Sequence, residues 1–258
     1  MGEDKFGLDL FSQRLLDAAS RRMDHLYPQW TQRHRDLISQ GQVSGAAGLS
    51  APPDSGRRFG DFRRLLTATY DLELSIHTLR ISLRLLQSTP DPSSLAGLSM
   101  NEGEWEYYHY QMWAYSLAGV LERTKKLVAV TARSLLRPYG RNGYEAVIAE
   151  LQSPIEQLRQ HMKVIRDPLA HGGGPVEYGA RQGLWEGMSA ARIWPQMDRM
   201  LVPLAANRQN RHRMIEKHSV TAIAWVGKVM QRLADEIDWE LVTMIPDPSA
   251  APNPSEPQ

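Results

Sequence analysis

Cysteine is absent from the 258 residues. That excludes a disulfide scaffold, thiolate metal sites and a cysteine nucleophile. An excess of one charge is missing too: 30 Lys and Arg against 29 Asp and Glu leave a net charge of +1, so the chain has no global basic field of the kind duplex binders carry. No apolar run approaches the ~20 residues that cross a bilayer. The stretch Met1 to Lys5 is acidic-leaning and no apolar core follows it. The sequence therefore predicts a cytoplasmic protein without membrane association. Several motifs are also missing. There is no GxxxxGK[ST] loop, no GxGxxG, no HExxH and no GxSxG elbow, and only one Glu-x-x-His, Glu106 to His109, where carboxylate metal sites in bundles take one from each of two helices. Neither a metal nor a cofactor is expected.

Helical periodicity dominates what remains. Between Asp61 and Gln87, apolar residues recur at Leu65, Leu72, Ile76, Leu79, Leu83 and Leu86, with Thr69 completing a 4-3-4-3 series. Between Asn101 and Arg137 the stripe reads Tyr110, Trp113, Leu117, Leu121, Val128, Ala132 and Leu135. From Tyr144 the series continues through Ile148, Leu151, Ile155, Leu158, Met162 and Ile165. Ser153-Pro154-Ile155-Glu156 has the form of a capping box with Pro at the first helical position, which predicts two short helices meeting near Ser153. A helix is expected between Leu184 and Ala206, interrupted at Pro195 and Pro203. Another is expected from Arg211 to Met244, with Ile223, Val226, Met230, Leu233, Ile237, Leu241 and Met244 on one face. Leu8 to Tyr27 reads as a further helix. No segment alternates with period two, so no sheet is expected. The reading is an all-α bundle of about five to seven helices at 61–245. Ahead of it come a helical segment at 1–38 and a Gly-, Ser- and Pro-rich flexible loop at 39–60, and a disordered Pro-rich tail follows at 246–258.

One stretch carries chemistry: Arg166-Asp167-Pro168-Leu169-Ala170-His171, followed by three glycines. RNA presents a 2′-hydroxyl beside its own phosphate. A neutral His can take that proton, an Arg can hold the phosphate, and Asp167 can orient either one; no metal is needed. Spacing alone does not decide this. With 24 Arg and 8 His in the chain, composition predicts about 0.7 Arg-x4-His spacings. There are two, the second being Arg213 to His218 within a continuous helix. Five helical steps set side chains about 140° apart, so that second pair does not converge. Around the first, Pro168 disfavours helix at Asp167 and predicts a fresh turn, which would bring Arg166 and His171 onto one side. The bland alternative is a helix-end cation and a C-terminal cap. An aromatic stretch, Trp105, Tyr107, Tyr108, His109, Tyr110, Trp113 and Tyr115, suits core and interface more than base stacking. Tyr108 and His109 are its candidate neighbours of a cleft.

Arg166-Asp167-Pro168-Leu169-Ala170-His171-Gly172 resembles the signature of the HEPN superfamily, in which an Arg, a polar residue, three further positions and a His lie within an all-α bundle. The resemblance implies a metal-independent endoribonuclease acting on single-stranded RNA, of the kind found in toxin–antitoxin and antiviral defence systems, with an antitoxin or defence partner. It also implies a homodimer in which two motifs face one cleft, with Arg166, Asp167 and His171 in the catalytic roles. Pro168 and Gly173 depart from the family's pattern, the latter standing where one regulated branch carries a Tyr. Other members of the superfamily are catalytically silent helical modules that bind a protein or nucleotide partner, and this is the alternative reading.

Overall fold

The computed structural model describes residues 6–52, 54–88, 91–98, 102–171 and 198–244, with stretches such as 161–171 and 198–208 described as backbone only. Among these residues the fold is all-α. Its elements are α1 (Phe6–Leu26), α2 (Pro28–Ser39), α3 (Val43–Ala47), α4 (Ser55–Arg58), α5 (Gly60–Gln87), α6 (Pro92–Gly97), α7 (Glu102–Thr131), a π-helical segment (Ala132–Leu136), α8 (Arg137–Tyr139), α9 (Tyr144–His171), α10 (Asp198–Glu236) and α11 (Trp239–Met244). The only pairing of extended backbone among the described residues is an isolated antiparallel bridge, Gly140 with Ile237. The predicted tail, 246–258, and most of the helix expected at 184–206 lie outside the described residues.

The chain forms two compact units. The first comprises 1–70, 127–149 and 227–258; the second comprises 71–126 and 150–226. The long helices α5, α7, α9 and α10 each contribute a stretch to both.

In the first unit, α1 buries Leu8, Phe11 and Leu15 with Phe62 and Leu65 of α5, Leu135 and Leu136 of the π segment, and Met230 and Leu233 of α10. The N-terminal segment, read from sequence as set apart from the bundle, thus contributes to the same core as the ends of the long helices. A Cβ at Gly7 would fall within the backbone carbonyl of Gly227, so the absence of a side chain is what lets α1 approach α10 there. The segment expected as a flexible loop contains α3 and α4. It buries Ala46, and Ser50 accepts a hydrogen bond from the Trp30 indole at 2.9 Å. Its short helices owe their order to these tertiary contacts, which composition does not display. Arg22 is 3% exposed. Its Nη1 donates to the Val242 carbonyl at 3.2 Å, and its guanidinium lies 5.8 Å from the Phe62 ring centroid.

Stripe positions read from the sequence are buried along α5 at Leu65, Leu72, Ile76, Leu79 and Leu86, and along α7 at Tyr110, Trp113, Leu117, Leu121 and Val128. Thr69 keeps its place in the α5 stripe because its hydroxyl donates to the Leu65 carbonyl at 2.8 Å, four residues back. Two further expectations fail, and the break expected at Pro203 is absent too, since α10 runs unbroken from Asp198 to Glu236. Leu241 and Met244 are exposed, because α10 ends at Glu236 and the Asp238 side chain caps a new helix. The break shifts the register, and Val242 takes the buried place. The second failure bears on the site: α9 is one helix from Tyr144 to His171, without the boundary expected near Ser153. Pro154 removes one backbone donor, but Leu151 and Ile155 on either side are buried, and tertiary packing of the stripe outweighs the local signal.

Candidate functional site

The motif-bearing helix α9 starts after Gly143, whose φ of +87° turns the chain out of the preceding segment. In the second unit it runs antiparallel to α7, and ion pairs fix the register. Lys125 Nζ contacts Glu156 Oε2 at 2.9 Å, and Arg159 Nη1 contacts Glu122 Oε1 at 3.1 Å. Arg159 also grips Glu156 through Nη2 at 2.6 Å and Nε at 3.0 Å, and Gln160 Nε2 donates to the same carboxylate at 2.7 Å. The Arg159 hydrogen bonds, then those from Lys125 and Gln160, hold the Glu156 carboxyl well below the usual carboxylate range. The same pairing raises the Arg159 guanidinium further above its already high value. These groups are occupied by one another and serve as the clamp between the two helices.

That clamp sets the register for the remainder of α9. Each step toward the C-terminus of α9 is a step toward the N-terminus of α7. Arg166 is seven residues beyond Arg159, on the same stripe of α9 to within about 20°. Tyr115 is seven residues before Glu122, on the same stripe of α7. Position 166 is therefore level with Tyr115, and position 171 with Tyr110.

Helix continues through Asp167 and Pro168 to His171, so the fresh turn expected at Pro168 is not formed. The unbroken ladder leaves Arg166 and His171 about 140° apart around the axis, the same divergence as Arg213 and His218 on α10. His171 falls on the stripe of Ser153 and Gln160, both exposed, whereas Arg166 shares the stripe that meets α7. The side chains of Arg166, Asp167 and His171 lie outside the described residues.

The two candidate neighbours on α7 differ. Tyr108 is 51% exposed, and His109 is 5% exposed. The His109 ring meets Trp105 edge-on with centroids 4.1 Å apart, and Tyr108 at 5.2 Å. Neither ring nitrogen has a hydrogen-bond partner among the described residues, and burial pushes the imidazole pKa below its ordinary value. His109 is thus a neutral core histidine, and only Tyr108 is accessible. Tyr115, exposed and level with position 166, belongs to the aromatic stretch but not to its two candidate cleft neighbours; the heptad spacing Tyr108, Tyr115, Glu122 is the signal that could have chosen it. Beneath these residues, the buried Trp113 indole donates to Ser219 Oγ at 2.8 Å, tying α7 to α10.

Among the described residues no group of three His, Asp or Glu could hold a metal ion, and no helix is long and apolar enough to cross a membrane. No protein-family model matches the chain, and no curated protein or solved structure matches it.

Proposed function

We propose that the protein is a HEPN-like, metal-independent endoribonuclease acting on single-stranded RNA in the cytoplasm, as a toxin or defence effector, with Arg166, Asp167 and His171 as its site. The observation that carries this reading is the placement of Arg166-Asp167-Pro168-Leu169-Ala170-His171 on the last turns of α9 in an all-α fold, beginning level with the exposed Tyr115 of α7. In the reaction, neutral His171 takes the proton of a 2′-hydroxyl, and the 2′-oxygen attacks the adjacent phosphorus. The bond to the 5′-oxygen breaks as that oxygen is protonated, leaving a 2′,3′-cyclic phosphate. Arg166 offsets the charge that grows on the phosphoryl oxygens, and Asp167 orients one of the two.

The helical register adds a condition. One copy's Arg166 and His171 diverge by about 140°, so they do not meet on one phosphate. The site is read as composite, His171 coming from one copy of the chain and Arg166 from a second copy across a two-fold axis. The test is incubation of the purified protein with labelled single-stranded RNA in EDTA. Cleavage to cyclic-phosphate ends is expected, and none at a position where the 2′-hydroxyl is replaced by hydrogen. Cleavage at that deoxy position, or a requirement for a divalent ion, rejects the mechanism.

The same divergence favours a second reading, a catalytically silent helical module that binds a protein or nucleotide partner. It takes over if no RNA is cut.

A further inference from the structure

Of the aromatic stretch on α7, Tyr110 and Trp113 are buried in the core, whereas Tyr108 and Tyr115 stand exposed. Seven residues separate the two exposed rings, which sets them within about 20° of one another around the helix and about 10 Å apart along it. The same line continues toward the C-terminus of α7: Gly119 is displaced from Tyr108 by only about 20°, and Lys126 returns to the angle of Tyr108. Arg123 leans onto this line, its Nη1 donating to the Gly119 carbonyl at 3.4 Å. A Cβ at Gly119 would stand 2.9 Å from that nitrogen, so the missing side chain is what gives the guanidinium its seat. The carboxylates beside the line are matched. Glu122 meets Arg159 at 3.1 Å, and Asp71 meets Lys126 at 4.0 Å. Arg123 has no carboxylate partner among the described residues. The exposed Lys126–Asp71 pair is at the limit of contact and contributes little, so a competing anion can take the ammonium.

We infer that this outer line of α7 is a track for single-stranded RNA, with nucleobases stacked on Tyr108 and Tyr115 and backbone phosphates at Arg123 and Lys126. This placement rests on the RNA reading above and says where the substrate strand lies. Chemistry selects the occupant first. Exposed aromatic faces followed by cations on one line match a single strand, which presents flat bases and a charged backbone in one ribbon. An apolar protein surface laid over the same line would desolvate the Arg123 charge with nothing to offset it. Spacing selects a single strand over a duplex. Stacked bases lie about 3.4 Å apart, so bases resting on rings about 10 Å apart are splayed away from one another, as they are in single-strand recognition. Position ties the track to the motif. The Glu122–Arg159 contact sets Tyr115 level with position 166, so a base on Tyr115 brings its own phosphate to the height of the first motif residue. Stacking accepts every base, so binding along the track tolerates sequence.

The test is fluorescence anisotropy of the full chain with a labelled single strand of 2′-fluoro RNA, about 12 nucleotides long, which has no 2′-hydroxyl to attack and so reports binding without cleavage. The strand should bind, and a duplex of the same sequence should bind at least tenfold more weakly. Tyr108→Ala and Tyr115→Ala should each raise the dissociation constant at least fivefold, with helical circular dichroism and melting unchanged, whereas Tyr115→Phe keeps the ring and should keep the affinity. Arg123→Gln should weaken binding and lower the slope of log affinity against log salt by about 0.7, as expected for one lost phosphate contact. Arg33→Gln, at an exposed cation of α2, should change the affinity by less than about twofold. A chain that binds no single strand overturns the inference and leaves the line to a protein partner. Binding indifferent to both Tyr→Ala substitutions, or equal for strand and duplex, overturns it as well. The outcome is separable from the catalytic reading: a protein that binds through these residues and cuts no RNA keeps the track while the ribonuclease reading falls, and one that cuts RNA with an unchanged KM in both Tyr→Ala variants keeps the ribonuclease while the track falls.

Discussion

Removing one hydroxyl should loosen the second unit in a calculable way. Trp113 is 1% exposed and Ser219 is fully buried, and the indole N–H donates to Ser219 Oγ at 2.8 Å. Ser219 passes its own proton to the Ile215 carbonyl at 2.8 Å. In Ser219→Ala the buried indole N–H loses its acceptor, which costs about 1–3 kcal/mol. Trp113→Phe costs about 2 kcal/mol through lost ring area and residual space. With Phe at 113 there is no donor left to strand, so adding Ser219→Ala should cost under about 0.5 kcal/mol. The cycle thus has a coupling of about 1–2 kcal/mol, read from urea midpoints at unchanged m value. If Ser219→Ala costs the same in both backgrounds, the hydrogen bond does not hold α7 to α10 and the reasoning fails.

Arg22 is buried, and its Nε and Nη2 have no partner among the described residues. Arg22→Met keeps the stem and should change stability by less than about 1 kcal/mol, whereas Arg22→Ala should cost about 3 kcal/mol; a loss above about 2 kcal/mol for the Met variant would show the charge to be net favourable. His109 is held below its ordinary pKa of 6.5 by burial. The unfolded chain therefore binds the extra proton first, and stability, full above pH 6.5, should fall as pH drops below that value toward the folded pKa. His109→Phe should flatten that slope in urea midpoints taken between about pH 7.5 and 5.5, and an unchanged slope contradicts the assignment. Gly7→Ala forces α1 away from the Gly227 carbonyl and should cost about 1–3 kcal/mol in thermal or urea unfolding.

The long helices were legible because their stripes are long and regular: every described apolar position of the 4-3-4-3 series in α5 except Leu83 is fully buried. Shorter-range signals misled where tertiary packing overrode them. Pro154 and Pro168 argue locally for helix boundaries, yet α9 passes through both; at Pro154 one missing donor weighs less than the packing of the buried Leu151 and Ile155 on either side. The Gly- and Pro-rich 39–60 segment gave no hint of α3 and α4, because contact with Trp30 and burial of Ala46 order it, and neither is visible in its own composition. Of the site, Arg166 and His171 were visible as a spacing. Their divergence was not, because it depends on whether the helix breaks between them. The α7–α9 clamp that fixes Arg166 level with Tyr115 joins residues 37 apart in sequence, Glu122 and Arg159, which no local pattern connects.

Complementation between inactive variants tests the central claim most directly. Arg166→Ala and His171→Ala should each lower RNA cleavage in EDTA by at least ~10²-fold, as expected for loss of a charge donor or an acid–base group. Arg213→Ala with His218→Ala, equal in spacing and in divergence, should leave it intact. When the two inactive chains are unfolded together and refolded as a mixture, half of the dimers pair one of each. Such a dimer holds one complete site, His171 from one chain and Arg166 from the other, so about one quarter of the wild-type rate should return. No recovery in a mixture shown to contain mixed dimers contradicts a site shared between two copies, and full activity of both single variants contradicts the site itself.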